Sequence, residues 1–287
     1  MNEKIVPIIQ ANELLKLNQT EKLVIVDASN SKNAKTNYEA KHLDGALFVD
    51  TNTQLADIKR DLSIGGRHPL PTMEQFSETL QGLGISADSW VVVYDDQNGS
   101  NAAARFWWML KAVGHDKVQV LNGGFQEAEK IGFPINSGTE TARKSEPYKI
   151  EKWELPLATI SEVEKASQNK DCLVIDVRSI ERFIGESEPI DLVAGHIPGA
   201  INVPFSENLD SNGLFLSPIE LREKYEKIVS DKASENTIVH CGSGVTACHT
   251  LLAIASAGLA IPKLYVGSWS EWSRNNKTIA TGKTDDE

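Results

Sequence analysis

Residues 23–29, LVIVDAS, return as LVIDVRS at residues 173–179, and the organisation of the whole chain follows from that repetition. The first copy is followed by HLDGAL at 42–47 and the second by HIPGAI at 196–201. Further on, VVVYDD at 91–96 matches TIVHCG at 237–242, and each leads into a helix-like run, AAARFWWMLKAVG at 102–114 and VTACHTLLAIASAG at 245–258. Each run ends in a short strand and a turn of small residues, VQVLNGGF at 118–125 and KLYVGSWSEW at 263–272. The offsets are 149 residues from Asp27 to Asp176, 154 from His42 to His196 and 146 from Asp95 to Cys241. A period this long, present twice, describes a duplicated globular domain and not a solenoid.

Within each copy, apolar runs of four or five residues alternate with amphipathic stretches such as MEQFSETLQGLG at 73–84 and PIELREKYEKIV at 218–229. Continuous apolar strands between helices are the pattern of a parallel sheet covered on both faces. The expected fold class is α/β, with two tandem domains, each a parallel sheet flanked by helices. The polar stretch SGTETARKSEPYKIEKWE at 137–154 shows no period, so the expected division is residues 1–138, a linker at 139–154, and residues 155–287.

The 287 residues are 40% hydrophobic and 24% charged, an ordinary globular balance that excludes disorder and fibrous repeats. A net charge of -11 argues against nucleic acid as a partner. Cys172, Cys241 and Cys248 are too few and too odd in number for a disulfide framework, so a reducing, cytoplasmic setting is expected. No apolar run approaches the roughly 18 residues that span a bilayer, so no membrane partner is expected. No zinc-like Cys/His spacing and no dinucleotide fingerprint is present, and neither a metal nor a cofactor is expected.

The chemistry concentrates in IVHCGSGVTACHTLLAIASAG, residues 238–258. A buried strand ends at Cys241, small residues follow, and a helix begins near Val245. Ligands of open α/β sheets bind at the carboxyl ends of strands, where the next helix points its N-terminal amides. A cysteine there sits in a cradle of N–H groups at the positive end of a macrodipole, and both favour an anion. Gly242 and Gly244 let the backbone approach that anion closely. A buried structural cysteine would not call for this loop. A phosphate-binding loop would need a lysine after the glycines, and a Cys-dependent phosphatase an arginine six positions after the cysteine, where Ala247 stands.

The loop CGSGVTA, with HIPGA, the Asp176 to Arg178 pair and GSWSEW, resembles the tandem-domain rhodanese-type sulfurtransferases, from about Val24 to Trp272. The same loop is more similar to the mercaptopyruvate-using branch than to the thiosulfate-using branch, whose loop is typically more basic. The resemblance implies an enzyme that moves sulfur from 3-mercaptopyruvate to a thiol or cyanide through a persulfide on Cys241, with thiosulfate as the alternative donor. The first copy has Asp95 in place of the cysteine and is expected to be silent, packing against the active copy. A non-enzymatic binding module remains the alternative for a silent copy of this kind, and Cys241 argues against it for the second.

The resemblance also implies roles at single positions. Ser243 and His68, in GRHPLP, match a proton-transfer pair, whose acidic third member falls near residues 48–52, where Asn52 stands. Arg182 matches the arginine that holds the donor carboxylate, because a planar fork binds it in two places. The family's second arginine falls on Asp191, so one carboxylate clamp is either lost or replaced from elsewhere, as by Arg67. Gly242, Gly244, Val245 and Thr246 supply loop amides to the thiolate and persulfide. Arg178, Asp27, Asp176, His42 and His196 are expected to be structural, and Trp107 and Trp108 to lie in the core or an interface. The partners implied are a small anionic sulfur donor and an acceptor such as thioredoxin, another thiol or cyanide, for a protein expected to be monomeric.

Overall fold

The computed structural model describes residues 5–17 and 22–282. Contacts group the chain into two units. One takes the chain up to Asp57, Pro71–Glu154 and Leu209–Phe215, and the other takes Ile58–Leu70, Leu155–Asn208 and the chain from Leu216. The two units are therefore not simple halves of the sequence. Residues 58–70 lie within the first copy's stretch of sequence but group by contact with the second unit.

The first unit contains β1 (Ile8–Ile9), α1 (Ala11–Leu17), β2 (Leu23–Asp27), α2 (Ala34–Ala40), β3 (His42–Leu43), β4 (Leu47–Phe48), α3 (Met73–Gly82), β5 (Trp90–Tyr94), α4 (Ala102–Ala112), β6 (Val118–Leu121), α5 (Gly124–Lys130) and β7 (Ile135–Asn136). Its main sheet has the order β1-β6-β5-β2-β4, with every pair parallel. The valines of β5 are wholly buried, as a central strand covered on both faces requires. Val92 and Ile25 join Leu14, Leu121 and Phe133 in the core. The stretch expected as a linker has neither helix nor strand, but it is packed: Trp153 lies 5.4 Å from Phe76 and 6.2 Å from Trp108, ring to ring. Trp107 and Trp108 are buried on α4.

The second unit contains α6 (Ile160–Ala166), β8 (Leu173–Asp176), α7 (Ile180–Ile184), β9 (Ile201–Asn202), α8 (Pro218–Val229), β10 (Thr237–His240), α9 (Thr246–Ser256), β11 (Lys263–Leu264) and α10 (Ser268–Trp272). Its sheet, β11-β10-β8-β9, is again parallel, and a bridge from Leu157 to Leu264 takes the edge that β1 takes in the first unit. The repeat is thus a repeat of topology: β2 and β5 correspond to β8 and β10. Capping boxes start α3 at Thr72, α6 at Thr159 and α8 at Ser217, the last with proline at its first turn. The expected α/β class and paired parallel sheets are what the protein adopts.

The two HxxGA histidines do the same structural work in each copy. His42 stacks on Tyr38 at 4.2 Å, with Nδ1 2.7 Å from the Tyr38 carbonyl. His196 stacks on Phe183 at 3.8 Å, with Nδ1 2.8 Å from the Phe183 carbonyl. Both are buried.

Candidate active site

β10 is buried along its length and delivers Cys241, 1% exposed, to the carboxyl end of the sheet. The Cys241 N–H donates to Ser268 Oγ at 3.2 Å, and that hydroxyl donates to the Tyr265 carbonyl at 2.8 Å. On the other side, the Trp269 and Ser270 N–H groups donate to the carbonyls of Cys241 and Gly242 at 3.0 and 2.9 Å. The turn into α10 therefore clamps the Cys241 peptide on both sides. Ser268 adopts φ +55° to do so, a left-handed conformation that costs free energy outside glycine.

The loop then runs through Gly242, Ser243 and Gly244 (φ +73°) to Val245, which precedes α9. Gly244 takes the positive φ that glycine tolerates, two residues before α9 begins. Val245 is 5% exposed, Thr246 is half-buried, and Cys248 Sγ donates to the Gly244 carbonyl at 3.3 Å. The three cysteines form no disulfide.

The first unit shows what the equivalent loop does with an anion. Asp95, wholly buried at the end of β5, accepts N–H bonds from Gln97 (2.9 Å) and Gly99 (2.8 Å) on Oδ1, and from Asn101 (2.9 Å) and Ala103 (3.1 Å) on Oδ2. Burial pushes its carboxyl up, and the four amides pull the other way without cancelling the rise. The cradle inferred for Cys241 is thus present in the first copy, filled by the chain's own carboxylate.

Residues 58–70 bring two further groups to the second unit. The segment is pinned by Gly65 N–H to Glu271 Oε1 at 2.9 Å and by Asn275 Nδ2 to the Ser63 carbonyl at 2.8 Å. Gly66 passes so close to Gly267 that a Cβ there would meet the Gly267 oxygen at 2.4 Å, so only glycine fits. The segment sets His68 Nδ1 2.8 Å from Ser243 Oγ. It also sets Arg67 Nη2 3.2 Å from the point where a Cβ on Gly242 would lie, with Arg182 Nη2 3.3 Å from the same point. Arg67, Arg182, His68, Ser243 and the Cys241 loop are therefore one cluster. Asn52 belongs to the other unit, where its N–H donates to Asp50 Oδ1 at 2.9 Å.

Carboxylates organise the guanidiniums. Glu188 takes Arg182 in a fork, Nε to Oε2 at 3.0 Å and Nη2 to Oε1 at 2.7 Å. Asp191, whose side chain is fully buried, meets Arg67 and Arg274 through Oδ1, the latter at 2.9 Å, and Arg182 through Oδ2 at 3.5 Å. Burial would raise the Asp191 carboxyl, but the hydrogen bonds and charges of Arg67 and Arg274 outweigh it and hold it below the ordinary range. Arg178 is enclosed by Asp176, the Gly195 carbonyl and the Trp269 ring at 4.4 Å. Asp176 resists the upward push of burial chiefly because the Arg178 guanidinium stabilises its charge. Sequence reasoning missed Glu188, Ser268, Arg274 and His240. Only the last carried a usable signal, since it precedes Cys241 directly.

The rhodanese-like domain profile matches residues 10–130 and 159–275. A Pseudomonas aeruginosa protein named "Probable 3-mercaptopyruvate sulfurtransferase" is 38% identical over 253 residues, covering 85% of this chain and 86% of that one. The thiosulfate sulfurtransferase of Rattus norvegicus is 37% identical over 262 residues, covering 88% and 85%. Among solved structures, the 3-mercaptopyruvate sulfurtransferase from Leishmania major superposes with a TM-score of 0.81 at 29% identity, covering 93% of this chain and 74% of that one.

Proposed function

Because the chain belongs to the rhodanese family of sulfurtransferases and carries its domain twice, we propose that it transfers sulfur from 3-mercaptopyruvate to a thiol or cyanide through a persulfide on Cys241. Relatives named for both donors are almost equally similar, 38% and 37%, so overall identity does not choose between them. The observation that carries the choice is the pairing of two guanidiniums over Gly242 with the Ser243–His68 hydrogen bond of 2.8 Å. A planar fork suits a carboxylate, and a hydroxyl–imidazole pair supplies the proton that an α-keto donor needs and thiosulfate does not.

In the first half-reaction the Cys241 thiolate attacks the donor sulfur. A new S–S bond forms, the C–S bond breaks, and its electron pair leaves on carbon as the enolate of pyruvate. Ser243, in contact with His68, delivers a proton to that carbon, and the imidazole recovers it from solvent. Amides of Gly242, Gly244, Val245 and Thr246 stabilise the charge on sulfur before and after transfer, as the amides around Asp95 do for a carboxylate. In the second half-reaction an acceptor thiolate attacks the outer sulfur and returns Cys241 as thiolate, so the kinetics are ping-pong.

The finer parts of this reading are a monomeric, cytoplasmic enzyme with a small thiol or thioredoxin as acceptor, and a division of labour in which the copy carrying Asp95 is silent. The lack of any disulfide supports a reducing compartment. Among the described residues no helix is long and apolar enough to cross a membrane.

The test is mass spectrometry of the protein after exposure to each donor, with steady-state kinetics under matched conditions. The expected result is a gain of one sulfur atom on Cys241, none in Cys241→Ser, and a higher kcat/KM with 3-mercaptopyruvate. Transfer by the serine variant would overturn the nucleophile, and a higher efficiency with thiosulfate would overturn the donor.

A further inference from the structure

Residues 58–70 have a counterpart in the other copy. They lie between β4 and α3, and residues 209–215 lie in the matching place between β9 and α8, yet group by contact with the first unit. The counterpart is a small hairpin, bridged between Leu209 and Phe215. The Asp210 carboxylate holds its turn by accepting the N–H groups of Asn212 at 2.8 Å and Leu214 at 3.0 Å. This strap docks at the two places where residues 58–70 dock in the second unit. Gly66 meets Gly267, just before α10, and Leu214 Cδ2 lies 2.7 Å from where a Cβ on Gly123 would be, just before α5. His68 meets the cysteine loop at Ser243, and Gly213 meets the Asp95 loop so closely that a Cβ there would collide with Asn98 Nδ2. Phe215, 8% exposed, donates its N–H to Asn122 Oδ1 at 2.9 Å. Its ring edge lies 3.9 Å from where a Cβ on Gly99 would be, and Gly99 is one of the residues that bond Asp95.

The two straps differ in chemistry. The one over the Cys241 loop carries Arg67 and His68, and the one over the Asp95 loop carries Gly213, Leu214 and Phe215. We propose that residues 209–215 are a stopper that closes the first copy's anion cradle, so that this copy is shut to anionic sulfur donors by its strap independently of Asp95. An anion entering that cradle would give up its hydration beneath a leucine and a phenyl ring, with no cation from the strap in exchange, and such a transfer is costly. In the second unit the strap supplies the Arg67 guanidinium beside Gly242. The stopper does not depend on the carboxylate it covers, since its anchor is Asn122 and its turn is held by Asp210. It rests on the silence proposed above for the first copy, to which it adds a second cause.

A thiol placed at position 95 reports access to the cradle. The experiment takes the full chain with Asp95→Cys and Cys241→Ser, with and without Leu214→Ala and Phe215→Ala together. Peptide mass spectrometry follows the rate at which iodoacetate, a monoanion, alkylates position 95. With the strap intact, that rate should be roughly 100-fold or more below the rate at Cys241 in the parent chain. Truncating the strap should raise it at least about tenfold, while Cys248, buried in the second unit, does not change. Position 95 reacting as fast as Cys241 beneath an intact strap, no gain on truncation, or an equal gain at Cys248 overturns the proposal. If the chain with Asp95→Cys does not fold, hydrogen exchange decides with Asp95 in place. Leu214→Ala and Phe215→Ala should then speed exchange of the Gly99, Asn101 and Ala103 amides at least about tenfold over the parent chain, and unchanged exchange overturns the stopper. Neither measurement uses a sulfur donor, so a parent chain that transfers no sulfur defeats the proposed function alone.

Discussion

Replacing Gly242 by alanine tests the placement of the donor clamp without touching a charged residue. The added Cβ would lie 3.2 Å from Arg67 Nη2 and 3.3 and 3.5 Å from the two terminal nitrogens of Arg182. Two of these are closer than comfortable contact, so the guanidiniums must yield by a few tenths of an ångström. They cannot swing away cheaply, since Glu188 forks Arg182 and Asp191 holds Arg67. Gly242 is outside the left-handed region, so the backbone accepts alanine and stability should change by less than about 1 kcal/mol. A bound carboxylate, by contrast, should lose one of its charge-assisted hydrogen bonds, about 1.5–3 kcal/mol, which raises the donor KM by roughly 10- to 150-fold. The control is Gly244→Ala at φ +73°, where strain of about 1–2 kcal/mol should appear as lost stability. Steady-state kinetics and urea unfolding of both variants separate the cases. An unchanged donor KM in Gly242→Ala, or a stability loss matching that of Gly244→Ala, would refute the placement of the two arginines at the donor.

Asp95→Ala should lower the unfolding free energy by about 2–5 kcal/mol, because buried loop amides lose their acceptor, while sulfur transfer persists below the new melting temperature; an unchanged melting temperature would refute the role given to the carboxylate. His240 is wholly buried, faces Asp176, Arg178 and His196, and is held neutral to a lower pH than usual, chiefly by burial. The unfolded chain therefore binds more protons below about 6.5, so stability should fall as the pH drops through that value, by about 1.4 kcal/mol for each tenfold difference in proton affinity. His240→Gln should flatten that slope in urea titrations between acid and neutral pH, and an identical slope would refute the assignment. His68→Ala should lower kcat with 3-mercaptopyruvate and leave its KM within about twofold, since it removes a proton route and not a binding group. An unchanged kcat would place His68 among structural residues.

What could be read from the sequence was what is local in it. Cys241, its glycines and the helix that follows occupy one continuous stretch. The duplicated strands are visible because buried parallel strands demand long apolar runs whatever their surroundings. The paired histidines were legible as structural because they recur in a copy with no cysteine. The arginine and carboxylate cluster was not legible, because its members come from distant segments: Arg274 and Asp191 are 83 positions apart. Asp191 was read as a missing arginine, since pattern matching shows what a position lacks and not what it has gained. Ser268 was hidden for another reason. Its left-handed backbone breaks the usual residue preference, and strain of that kind leaves no trace in composition.

The bond between His68 and Ser243 spans 175 residues of sequence, and this has a consequence in time. At the usual pace of about 5–20 residues per second, the histidine is added to the chain roughly nine to thirty-five seconds before its serine partner exists. Residues 58–70 must stay undocked for that interval while the strands around them in the sequence are already free to pair. A nascent chain is therefore catalytically incomplete until synthesis is nearly over, and a fragment beginning at Leu155 would carry the nucleophile without Arg67 or His68.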